Sequence, residues 1–261
     1  MTLLVLPLRF QAGILPPARS MKYVTKNEKN QLPDAERVGA VIVSAGASTR
    51  MAGVDKTLVE LGAMPLIART VGVFERCEAV GSVVLVVARL DLSVIIDLVR
   101  DYEWTKVLHV LVGGQRRQDS VRIGLLALPE CDWVVIHDGA RPLVTSTLIE
   151  KGILTAMEAG AAAAAVPVVD TIKIVTDDGR VVETVDRRTI AAIQTPQVFR
   201  RDLLQSAHDE IRADVTDDSS MLETQGVPVQ VFLGDRTNIK VTTPEDLVIA
   251  EELLRARVTS P

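Results

Sequence analysis

Four short runs, Val38–Ser44, Val83–Ala88, Val107–Val112 and Trp133–His137, are apolar on nearly every residue. A strand with one wet face alternates polar and apolar side chains, whereas one that is apolar throughout is covered on both faces. Between these runs, Pro65–Glu78, Leu92–Tyr102 and Asp119–Leu128 carry apolar residues at helical intervals. The alternation predicts an α/β fold, a Rossmann-like and mostly parallel sheet with helices on both faces. Such sheets bind ligands at the carboxyl ends of their strands. The stretches VIVSAGAST, VGGQRRQDS and IHDGARP all fall at such ends.

Beyond Pro167 the pattern changes. TIKIVTDDGRVVETV alternates polar and apolar residues about Asp178-Gly179, which predicts a β-hairpin with one buried face. A lone two-stranded ribbon is marginal in water, so this protruding arm, at about 170–197, needs a surface such as a second subunit. GAAAAAVPVV before it is read as a helix end near Gly160 followed by a strand. NIKVT, Asn238 to Thr242, is read as a short strand holding Lys240. In TPEDLVIAEELLRAR, Thr243, Pro244 and Asp246 form a helix start, with Leu247, Ala250 and Leu254 as its buried stripe.

At 261 residues the chain is long enough for a full core. Its net charge of -5 argues against general binding to nucleic acid or membranes, so any basic site is local. Cys77 and Cys131 lie far apart, as do His109, His137 and His208, which predicts free thiols in a reducing compartment and no His/Cys-held metal. Residues 1–37 stand apart as an N-terminal extension. Pro7, Pro16 and Pro17 interrupt its apolar runs, and no basic start marks a secretory signal. A dispensable tail is the favoured reading, with a transit peptide or a true start at Met21 as alternatives. A single domain then spans 38–261.

Three loops carry candidate chemistry. In SAGASTRM, residues Ala45, Gly46, Ala47 and Ser48 leave backbone N–H groups open to an anion. Arg50 and Lys56 follow, and two nearby cations suit a polyphosphate. The loop has neither standard nucleotide glycine pattern, and a plain strand-to-helix turn is the competing reading. In VGGQRRQDSV, Gly113 and Gly114 would expose backbone to a flat base, with Ser120 on its edge, unless Asp119 or Ser120 is only a helix cap. In HDGARP, Asp138 and Arg141 flank Gly139-Ala140, a place for a carboxylate to meet ribose hydroxyls or a metal. Arg187 and Lys240 are suited to a second anionic substrate; Lys173 reads equally well as a solvated hairpin charge. No Ser-His-Asp or Cys-His set is evident, which favours catalysis by positioning and charge.

The motifs SAGASTRM, Asp55-Lys56, GGQRRQDSV, HDGARP, DTIK, VDRR, QTPQ, TDDSS and NIKVT, in this order, resemble the 2-C-methyl-D-erythritol 4-phosphate cytidylyltransferases. The resemblance runs from Val38 to the C-terminus. It implies transfer of a cytidylyl group from CTP to 2-C-methyl-D-erythritol 4-phosphate, releasing pyrophosphate, in non-mevalonate isoprenoid synthesis, with Mg²⁺ or another divalent ion. It implies catalytic roles for Arg50, Lys56, Arg187 and Lys240. CTP would be held by Ala45, Gly46, Ala47, Ser48, Gly113, Gly114, Ser120, Asp138, Gly139 and Arg141, with Asp138 on the ribose or metal side. Thr171, Arg187, Thr195 and Lys240 would hold the second substrate. It further implies a homodimer in which the arm reaches the partner's site. The compartment would be the cytoplasm, or the plastid in a plant or alga. Rival readings are a ribitol-5-phosphate cytidylyltransferase, another sugar-phosphate nucleotidyltransferase, and a non-catalytic nucleotide-binding regulator. Retention of all four cations argues against the last.

Overall fold

The computed structural model describes Tyr23, residues 31–46 and residues 57–259; Ala47, Ser48, Arg50, Lys56 and most of the extension 1–37 lie outside these. Ahead of Val38, the Asp132 N–H donates to Arg37 O at 2.9 Å. In chain order the elements are β1 (Val38–Ser44), β2 (Glu60–Leu61), β3 (Met64–Pro65), α1 (Leu66–Arg76), β4 (Ser82–Val87), α2 (Leu92–Asp101), β5 (Val107–Val112), α3 (Arg117–Ala127) and β6 (Trp133–Asp138). Then come α4 (Ser146–Ala159), β7 (Ala161–Pro167), β8 (Lys173–Val175), β9 (Val181–Thr184), β10 (Ala191–Arg200), α5 (Arg201–Glu210), α6 (Asp218–Thr224), β11 (Gln230–Leu233) and α7 (Pro244–Thr259).

Seven strands form one sheet in the order β11-β7-β10-β6-β1-β4-β5. β1 lies parallel to β4 and β6, β4 parallel to β5, and β10 runs antiparallel to β6. The pleat sends alternate residues to opposite faces. Ala40, Ile42 and Leu85 meet Val71 and Phe74 of α1, Ile95 of α2 and Ile153 of α4. Val41, Val43 and Val86 meet Val121 and Leu125 of α3, Leu204 of α5 and Met221 of α6. Burial on both faces is why these strands carry Val and Ile at consecutive positions. β5 departs from that expectation: it is the sheet's edge, and Leu108 is 48% exposed.

The alanine run Ala161–Ala165 is strand, fully buried between β10 and β11. Gly160, at φ 85°, ends α4 before it, in a conformation that resists helix continuation. α7 starts as read from the sequence. Thr243 Oγ1 accepts the Asp246 N–H at 3.3 Å and the Asp246 carboxylate accepts the Thr243 N–H at 2.9 Å, a reciprocal cap. Ala250 is fully buried, with Leu247 and Leu254 packed around it.

Pro167–Ala192 forms a compact unit apart from Tyr23–Val166 and the chain from Ile193. The arm is thus shorter at its end than read from sequence, and Thr195 and Gln197 belong to the sheet unit. Within the arm β8 pairs antiparallel with β9. The Gly179 N–H donates to Thr176 O at 2.9 Å and the Thr176 N–H to Arg180 O at 2.9 Å, closing the turn with Gly179 at φ 83°. Neither face is buried within this unit: Ile174, Val175, Val181 and Val182 are all exposed.

Candidate active site

One edge of the sheet gathers the strand ends. β1 delivers Ser44, Ala45 and Gly46, β5 leads into Gly113 and Gly114, and β6 ends on Asp138. β10 runs the other way with Gln197 opposite Ile136. That register carries Thr195 to Asp138, and Thr195 Oγ1 accepts the Asp138 N–H at 3.0 Å. Ser44 Oγ and Thr57 Oγ1, 3.0 Å apart and buried, tie together the two flanks of the segment that holds Arg50 and Lys56.

Asp138 organises the charge. Its side chain is 10% exposed, with Lys240 Nζ 2.9 Å and Arg141 Nε 3.5 Å from Oδ2 and Arg117 Nε 3.3 Å from Oδ1. Burial pushes its pKa up, but the charges of Arg117 and Lys240 outweigh that and hold it well below the usual carboxylate range. Both of its oxygens face cations. Among the described residues no cluster of three or more His, Cys, Asp or Glu side chains is placed to hold a metal ion.

Arg117 was not singled out by the sequence. It opens α3 and also reaches Asp218, Nη1 to Oδ2 at 2.6 Å, where the carboxylate is 1% exposed. Burial works against its charge, and Asp218 and then Asp138 more than offset this, raising its pKa. Its partners are distant in the chain, so no local spacing announces them; two adjacent arginines at a strand-end loop were the only signal.

The helix expected from Asp119 begins at Arg117 instead, because Asp119 in its first turn accepts the Arg116 N–H at 3.1 Å and pairs with the Arg116 guanidinium at 2.6 Å. Ser120 is buried; its Oγ accepts the Gly114 N–H at 3.1 Å and donates to Arg116 O at 3.2 Å. It therefore shapes the VGGQRR loop. A Cβ on Gly113 would stand 2.2 Å from Ala45 Cβ and 2.6 Å from Ser120 Oγ. Only glycine lets the two loops close on each other here. Gly139 lies behind Ser44, its N–H donating to Val43 O at 2.8 Å.

Lys240 sits in an irregular segment and not in the strand expected for NIKVT. Asn238 spends its side chain on Thr195, and of the following residues Val241 donates its N–H to a loop carbonyl, Ala140 O, at 2.8 Å. His137, fully buried against Phe74, places Nε2 3.3 Å from Arg141 O. Burial lowers its pKa to about 3, so it is neutral, and facing a carbonyl makes Nε2 the protonated nitrogen. Thr171 and Arg187 lie in the arm unit, where the Arg187 guanidinium donates to Val169 O.

Two hollows open along this edge. One, of about 350 Å³, is lined by Ala45, Gly46, Gly114, Ser120 and Asp138 among others. The other, of about 440 Å³, is lined by Arg141, Gln194, Thr195, Thr216 and Asp217 among others. Arg117, Asp138 and Lys240 line both, forming a charged wall between a small-residue pocket and a polar one.

Residues 38–256 match the family model described as 2-C-methyl-D-erythritol 4-phosphate cytidylyltransferase. A protein of that name from Dehalococcoides mccartyi (strain ATCC BAA-2266 / KCTC 15142 / 195) is 45% identical over 84% of this chain and 97% of its own length. Another of that name, from Geobacillus thermodenitrificans (strain NG80-2), is also 45% identical, over 84% of this chain and 97% of its own. Among solved structures, the 4-diphosphocytidyl-2C-methyl-D-erythritol synthase of Anaerococcus prevotii DSM 20548 superposes with a TM-score of 0.77 at 30% identity, covering 87% of this chain and all of that one.

Proposed function

This chain belongs to the 2-C-methyl-D-erythritol 4-phosphate cytidylyltransferase family, and we propose that its strand-end cleft performs that reaction on CTP. The observation that carries the assignment of the cleft is the shared wall of Arg117, Asp138 and Lys240 between the two hollows. A nucleotide in the small-residue pocket and a phosphorylated polyol in the polar pocket would bring their phosphates together at that wall.

An oxygen of the methylerythritol phosphate attacks the α-phosphorus of CTP. The new P–O bond forms as the bond to the β-phosphate oxygen breaks, and pyrophosphate leaves. The nucleophile is already an anion, so no general base is needed. The barrier lies in bringing two polyanions together, which fixed cations and in-line positioning lower. Lys240, 38% exposed, turns from Asp138 toward the acceptor phosphate. Arg50 and Lys56 are assigned to the triphosphate by their motif. A divalent ion such as Mg²⁺ would offset charge on the CTP phosphates, with Asp138 the carboxylate nearest to them in the pocket lining.

The arm completes the reading. Exposed Ile174, Val181 and Val182 need cover, and a second copy of the chain supplies it in a homodimer, bringing Thr171 and Arg187 to the partner's cleft. Two buried free thiols, Cys77 and Cys131, suit a reducing compartment, cytoplasm or plastid stroma. Among the described residues no helix is long and apolar enough to cross a membrane.

The test is pyrophosphate release by the purified chain with CTP, Mg²⁺ and 2-C-methyl-D-erythritol 4-phosphate. Turnover is expected with this acceptor and far less with ribitol 5-phosphate. Equal rates with the two acceptors would favour the ribitol reading, and none with either would remove the assignment.

A further inference from the structure

Lys240 has no strand to hold it, yet its ammonium lies 2.9 Å from Asp138. Both members of that pair hang from Thr195. The Thr195 hydroxyl accepts the Asp138 N–H at 3.0 Å, and the Thr195 carbonyl accepts from Asn238 Nδ2 at 2.8 Å. Asn238 is fully buried and stands two residues before Lys240. Because Thr195 O can only accept, the amide orientation follows from chemistry. The Asn238 carbonyl is gripped in turn by Arg141 Nη1 at 2.8 Å. The segment is therefore pinned to β10 through a side chain and to the HDGARP loop through its backbone.

We propose that Asn238 is the positioning residue for Lys240, setting the ammonium over the wall between the two hollows. It does not touch substrate. It replaces the strand ladder that would otherwise fix Lys240, and it does so with a neutral amide donor that reaches the Thr195 carbonyl. Serine falls short of that carbonyl, aspartate offers only acceptors when ionised, and alanine leaves Thr195 O buried without its donor. The inference rests on Lys240 meeting the acceptor phosphate, and its test separates the two.

The experiment is a double-mutant cycle on the full-length chain, using Asn238→Ala, Lys240→Ala and the pair, with KM and kcat measured separately for CTP and for the methylerythritol phosphate. Asn238→Ala is expected to cut kcat/KM for the acceptor about 100-fold, the scale of an ångström-sized misplacement, and to move KM for CTP by less than about 3-fold. The pair should be no worse than Lys240→Ala alone within about 3-fold, because the residue being positioned is already gone. Losses that multiply, or CTP binding weakened as much as acceptor use, would overturn the proposal and make Asn238 a general support of the fold. Should Asn238→Ala fail to fold, Asn238→Ser takes its place in the cycle; if both are unfolded by circular dichroism, Asn238 serves the core and the proposal is lost. Full activity in Lys240→Ala would instead sink the reading of Lys240 itself.

Discussion

Lys240 Nζ and Asp138 Oδ2 form an ion pair of unequal members: the lysine is 38% exposed and the aspartate 10%. The carboxylate is fixed between Arg117, Arg141 and Lys240. The lysine is the most exposed of the three cations, so it can exchange the carboxylate for an incoming phosphate while Asp138 holds the arginines in place.

Removing that carboxylate should cost most at neutral pH and least in acid. Asp138→Asn leaves three cations facing one another and should cost roughly 3 kcal/mol at pH 7, as for a buried pair that loses one member. The folded pKa of Asp138 is depressed, so its contribution is complete above its unfolded value of about 4 and is lost as pH falls below that. Urea melts at stepped pH should therefore show a flatter acid limb in the variant below about pH 4.5. His137 acts in the same direction over a higher window. Its folded pKa of about 3 lies under the unfolded value of about 6.5, so the folded state erodes as pH drops through that interval. A wild-type curve flat from pH 6.5 to 5 would contradict the buried neutral histidine.

Gly113→Ala tests the nucleotide pocket. The new methyl would meet Ala45 Cβ at 2.2 Å and Ser120 Oγ at 2.6 Å, forcing Ala45 and the VGGQRR loop apart. A stability loss of about 1–3 kcal/mol is expected, with KM for CTP raised about tenfold or more, equivalent to about 1.4 kcal/mol of binding, and KM for the acceptor little changed. The same rise for both substrates would show that the two hollows are not separate subsites.

Arg117→Lys keeps the charge and removes the fork. An ammonium cannot span Asp138 and Asp218, which Arg117 meets through Nε and Nη1. Asp218, buried with His208 Nε2 at 3.7 Å, then lacks its strong partner. Chemical denaturation should show a loss of roughly 2–4 kcal/mol. A variant as stable as the parent would mean that the bridge is replaced by water.

The arm predicts an assembly. Val182→Asp together with Ile174→Asp places charge on the exposed ribbon. Light scattering should report a dimer for the parent and a monomer for the double variant, with activity falling alongside. An active dimer from the double variant would place the contact elsewhere.

The sequence by itself determined the layered α/β plan, since strands buried on both faces must be apolar at consecutive positions, and Val38–Ser44 and Trp133–His137 are so on nearly every residue. It also determined the start of α7, because Thr243 and Asp246 cap within a few residues of each other. It marked the strand-end loops, Asp138 and Lys240 through local motifs. The rest depended on contacts between distant segments. Ala161–Ala165 has helix-favouring composition; it reads as strand from Gly160 and the valines that follow, and burial between β10 and β11 is what holds it so. Arg117 gains its role from Asp138 and Asp218, which the fold alone brings to it. Lys240 was legible as a cation, but its place was decided by Asn238 and Thr195, whose hydrogen bond joins β10 to an irregular segment that no periodicity describes.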